Sequence, residues 1–264
     1  MIGILALILF ILILAVGGDR GAVSIMALTG NIAVLSLAVV LLAGGHSPLV
    51  ITLLAGCVIS YITLIKQNGK NVKTKAAFLA AAIVMLVLLF AIYGVIWDSK
   101  SGGLNEIQAM QEDVMYYYNV DIHINMIHIA VCICLLSTLG AVLDTALSIT
   151  SSVYEVAVHK KDLSRRELYH SGLQIGKEII GTTINTLLFA YLGESMLLFA
   201  YLKTGKFTIE TIVNSKFLFQ DVAVMLFGGI ACLLAVPAAS LCIAHFIRPK
   251  ERISLVGEKQ NKNQ

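Results

Sequence analysis

Long apolar runs recur from one end of the chain to the other, and they leave few folds open. Segments 2–17, 22–43, 48–65, 76–97, 125–150, 178–195 and 221–246 are each almost free of charge. The hydrocarbon core of a bilayer, about 30 Å thick, takes roughly 17–25 apolar residues per helix. Lipid offers backbone groups no hydrogen bonds, so each run reads as a helix that satisfies its own. With 58% hydrophobic and 13% charged residues among 264, and a mean hydropathy of +0.87, the expected fold is all-α. It is a polytopic helical membrane bundle of about seven transmembrane helices, one integral membrane domain over 1–246. The first run has no basic segment before it and no small-residue cleavage site, so it is read as a retained span rather than a signal peptide.

The charged residues set the orientation. Lys66, Lys70, Lys73 and Lys75 fill one loop, whereas the next carries Asp98, Glu106, Glu112, Asp113 and Asp121 against Lys100 alone. The excess of Lys and Arg marks the first as cytoplasmic and the second as external. Alternation then puts Arg20, the stretch HKKDLSRRELYH (159–170) and the basic tail 247–264 inside, so that fifteen of the 19 Lys and Arg are cytoplasmic. The N-terminus is expected outside and the C-terminus inside. In the external loop 98–124, Leu104, Ile107, Met110 and Val114 have helical spacing and predict a short amphipathic helix. The cytoplasmic segment 156–177 is amphipathic and is expected to extend a helix or lie along the interface. MLLFAYL, after Gly193, is too short to span and reads as interfacial or re-entrant. Pro237 should kink the last span.

These basic residues are topology determinants. Without a compact basic face interleaved with aromatics, nucleic acid is not an expected partner; the lipid bilayer is. All five cysteines fall within apolar runs, which argues against disulfides. Cys132 and Cys134 would point to nearly opposite helix faces, and the histidines have no metal-ligand spacing. HExxH, Walker and GxSxG motifs are absent, and an intramembrane aspartyl protease needs two acids where one is evident. No enzyme, cofactor or metal is expected.

One carboxylate does not fit the bland reading. Between Asp121 and Glu155 the only formal charge is Asp144, in GAVLDTALSITSSVYE (140–155). A carboxylate at membrane depth is costly unless protonated, paired or hydrated, and marks a functional site by default. At about 100° per residue, Ser137, Gly140, Asp144, Ser148, Ser151 and Glu155 share a narrow sector of their helix. Close helix packing accounts for Gly140 and the serines but not for Asp144. The next apolar segment opens with Gly181, Thr182, Thr183, Asn185 and Thr186, groups able to hydrogen-bond Asp144 from a neighbouring helix or to serve only as interhelical glue. The expected intramembrane polar site is therefore Asp144 with Thr145, Ser148, Thr182, Thr183, Asn185 and Thr186.

NGKNVKTKAAFLA (68–80), DIHINMIHIAVCICLLSTLGAVLDTALSITSSVYE (121–155) and SGLQIGKEIIGTTINTLLFAYLG (171–193) resemble the YibE/F family of bacterial membrane proteins, and the chain is similar to its short, YibF-like members. The resemblance implies a multi-pass protein of the bacterial cytoplasmic membrane and a YibE-like partner. A fainter likeness joins Gly-x-x-x-Asp-Thr (140–145) and Gly-Thr-Thr (181–183) to membrane helices of SecF and RND-type permeases, which would give Asp144 a proton-coupling role. Two functions follow as expectations: a proton-responsive permease or secretion-accessory subunit, and a non-transporting scaffold for the partner.

Overall fold

The computed structural model describes residues 1–103, 125–160, 162–204 and 208–247, excepting the side chains of residues 2, 194–195, 197–204 and 211. The expected outer helix with Leu104, Ile107, Met110 and Val114, and the tail from 248, lie outside the described residues. Those described are helical or in turns, with no strand among them. In order they are α1 (Ile2–Ala43), α2 (Pro48–Ser60), a π-turn (Tyr61–Lys66), α3 (Val72–Asp98), α4 (Met126–His159), α5 (Arg165–Thr204), α6 (Ile209–Val213) and α7 (Lys216–Phe246). Five segments are long and apolar enough to cross a membrane: Gly3–Ala43, Pro48–Lys66, Val72–Asp98, Met126–His159 and Lys216–Phe246. Among the described residues α5 is not one of them.

α1 has 42 residues, about 63 Å of helix, twice the hydrocarbon thickness. It is broken at Gly18, where φ 51 and ψ −134 leave the helical region; the absence of a Cβ makes that conformation accessible. The chain turns sharply here. Gly21 lies against the Ile13 carbonyl so closely that a methyl at 21 would collide with it, whereas residues eight apart in a straight helix would be separated by about 12 Å. The two expected runs on either side of Gly18 are thus distinct helical arms.

Helix starts follow local chemistry. α2 opens on Pro48, tolerated in a first turn because its missing N–H has no partner there anyway. α3 is set by a capping box: Asn71 Oδ1 accepts from Thr74 N at 2.9 Å and Thr74 Oγ1 from Asn71 N at 3.1 Å. At α5, Ser164 N donates to Glu167 Oε2 at 2.6 Å and Glu167 N donates to Ser164 Oγ at 3.3 Å.

The core is formed by α3, α4, α5 and α7. α3 and α4 are antiparallel: Lys73 Nζ sits 5.9 Å from the Tyr154 ring near one end, and Tyr93 and His128 are 6.0 Å apart near the other. Much of the core is alanine, with Ala76, Ala77, Ala80 and Ala81 facing inward from α3 and Ala231, Ala235 and Ala239 from α7. Small side chains let backbones approach, so dispersion replaces the hydrophobic drive that lipid does not supply. The closest seam is Gly172 against Ser240 and Gly176 against Val236, where a Cβ on either glycine would clash. This GxxxG pairs α5 with α7.

The helix bounds bear on three expectations. Segment 156–177 is divided: residues up to His159 finish α4, and residues from Arg165 begin α5. MLLFAYL is neither a separate interfacial piece nor a re-entrant loop, since α5 continues through Gly193 to Thr204. Pro237 lies inside α7, which is one helix from Lys216 to Phe246.

Candidate functional site

Hydroxyl and amide groups stitch the second arm of α1 to the π-turn. Asn31 Nδ2 donates to Thr63 Oγ1 at 3.0 Å, and Gln67 Nε2 to Ser24 Oγ at 3.1 Å. In the π-turn Gln67 N reaches back to Ile62 O, and the Thr63 carbonyl accepts from Asn68 Nδ2 at 2.8 Å. Such single-turn expansions of a helix recur at functional sites.

Across from this hub lies α4. A cavity of about 480 Å³ is lined by Asn31, Thr63, Gln67 and Asn68, by Gly140 and Asp144, and by an apolar set that includes Leu35, Ile59, Leu139 and Leu143. Asp144 is exposed with respect to the chain's own core, and among the described residues no cationic side chain lines the cavity with it. Asn31 Oδ1 is buried without a hydrogen-bond partner. Gly140 is exposed and a Cβ there would touch nothing. Close packing therefore does not account for Gly140; it leaves room beside Asp144, one turn away.

The other nominated residues are dispersed. Thr145 is buried beside Cys232 of α7, and its Oγ1 lacks a hydrogen bond of ordinary length. Ser148 is half-buried. The Tyr191 hydroxyl donates to Ser137 O at 3.3 Å, and Gly172 abuts Val153; these contacts fix the height of α5 against α4. Thr182 and Thr183 fall between the two levels, as Asp144 does. Thr182, Asn185 and Thr186 are exposed and Thr183 is half-buried. Thr186 Oγ1 donates within its own helix to Thr182 O at 2.9 Å. None of these α5 residues lines the Asp144 cavity.

Sequence reasoning missed Asn31, Thr63, Gln67 and Asn68. Asn31 carried a usable signal, an amide inside the otherwise apolar run 22–43. A second cavity, also about 480 Å³, lies at the α4–α5 junction among Glu155, His159, Lys160, Ser171, Gln174 and Glu178. Among the described residues no group of three or more His, Cys, Asp or Glu side chains is arranged to hold a metal ion.

Long apolar helices, a small-residue core and a polar cavity between helices define a multi-pass helical membrane protein. The chain belongs to the YibE/F-like protein family, which it matches over residues 5–249. Neither the curated proteins nor the solved structures give a match, so the fainter likeness to SecF and RND-type permeases gains no support.

Proposed function

We propose that the protein is a proton-responsive permease or secretion-accessory subunit of the bacterial cytoplasmic membrane, not an enzyme, with Asp144 as its working group. The observation that carries this reading is Asp144 in a cavity with no cationic side chain among the described residues, lined also by Asn31, whose Oδ1 is unpartnered. A carboxyl group so placed is neutral and hydrogen-bonded when protonated, and charged and in need of water when not. Each state favours a different closure of α4 on the α1 and π-turn hub. The two arms of α1, the α2–π-turn segment, α3, α4, α5 and α7 make seven crossings, with the N-terminus outside and the C-terminus inside by the distribution of Lys and Arg. Thr182 and Thr183, between the same two levels as Asp144 but outside its cavity, serve with Asn185 and Thr186 as a neighbouring polar stretch of α5.

A second reading is a scaffold that stabilises a YibE-like partner. It is favoured by the first arm of α1, whose described side chains are nearly all exposed, a face for a partner's helices. Rescue of a deletion strain separates the two. Under the proton reading, Asp144→Asn and Asp144→Leu both fail to rescue although the protein reaches the membrane. Under the scaffold reading Asp144→Asn rescues, and proton coupling through Asp144 is wrong.

A further inference from the structure

We propose that the Asp144 cavity binds a hydrophobic ammonium compound, a positively charged, hydrogen-bond-donating nitrogen on an apolar body. The proposal rests on the reading of Asp144 as the working group, and names what that group recognises. Charge comes first. Asp144 is the only charged side chain among the lining residues; Lys66, exposed at the end of the π-turn, does not line the cavity, and the titratable group near Asp144 from α7 is the Cys232 thiol. When ionised, Asp144 therefore presents a negative charge that no described lining residue answers.

The polar wall favours a donor. Asn31, Gln67 and Asn68 each commit one of two amide N–H groups to a protein oxygen, and the buried acceptor Asn31 Oδ1 is left without a donor among the described residues. The remaining wall is apolar, through Leu35, Ile59, Leu136, Leu139, Leu143 and Leu147. A volume of about 480 Å³ lies within the roughly 300–1,000 Å³ of small-molecule sites. A bare alkali ion would leave most of it unfilled, whereas an ammonium head at Asp144 with its body on the leucines uses both walls.

The test is equilibrium binding of 2-phenylethylammonium to the purified full chain in lipid nanodiscs, with empty nanodiscs as blank and 2-phenylethanol as the neutral counterpart. The expected result is at least about tenfold preference for the cation, the scale of one desolvated charge contact. Asp144→Asn removes that preference. Gly140→Leu keeps Asp144 but fills the cavity from a position where a Cβ meets nothing, and it blocks the probe even if Asp144→Asn does not fold. The proposal is overturned by absence of binding, by equal binding of cation and alcohol, or by unchanged binding in a folded Asp144→Asn or Gly140→Leu variant. Each of these results leaves proton coupling to be decided separately by the strain rescue.

Discussion

Asn31 Nδ2 donates to Thr63 Oγ1 at 3.0 Å, joining the second arm of α1 to the π-turn, while the other half of the same amide, Oδ1, has no partner. Thr63→Val keeps the shape and removes the acceptor. Hydrogen bonds between membrane helices are worth about 0.6–2 kcal/mol, so the variant should lose about that much stability. Denaturation in mixed micelles measures it. No loss would mean that packing, such as Gly30 on Ile62, and the Gln67–Ser24 bond hold the two segments without it.

The α5–α7 seam predicts a larger effect. At Gly176 a Cβ would collide with the Val236 side chain, so Gly176→Leu should cost at least about 1–3 kcal/mol by overpacking. The double variant Gly176→Ala with Val236→Ala should recover much of the loss of Gly176→Ala alone. Thermal stability in detergent reads both.

Gly18 predicts a conformational cost without a packing cost. A Cβ there would touch nothing, yet its φ is +51. Gly18→Ala should destabilise the reversal in α1 by about 1–3 kcal/mol. Spin-label distances between the two arms should lengthen or broaden; an unchanged narrow distribution would contradict the break.

These features differ in how far the sequence discloses them. The apolar runs are legible because hydropathy is a property of contiguous residues, and Gly-Gly-Asp-Arg-Gly at 17–21 marks the break in α1. The full length of α5 is not legible: its threonines and asparagine lower hydropathy, and Gly193, which reads as a boundary, lies inside the helix. The π-turn depends on a one-residue change of hydrogen-bond register that composition does not encode. Asp144 is legible as an anomaly within its run. Its cavity is not, because Asn31, Thr63 and Asp144 come to line one space only when their separate elements are assembled.

Outside the membrane, Glu167 supplies a pH dependence. Its carboxylate accepts from the Ser164 backbone N–H, and with the Ser164 side chain this holds its pKa below the usual carboxylate value. A lowered folded-state pKa means that the stabilisation is present above the ordinary carboxylate range and is lost as pH falls through the folded value. Amide exchange in the first turn of α5 should therefore quicken on acidification beyond the intrinsic pH effect. In Glu167→Gln the corrected rates should be flat over that range; an acid response as large as wild type would assign it elsewhere.

The central claim is that Asp144, in the cavity between α4 and the π-turn, is the proton-responsive group proposed above. Difference infrared spectroscopy of the protein in lipid nanodiscs, recorded as pH is stepped, observes the carboxyl C=O stretch directly. The account predicts a band that appears on acidification, shifts in deuterated water, and is missing from Asp144→Asn. An identical set of pH-dependent bands in wild type and Asp144→Asn would contradict it.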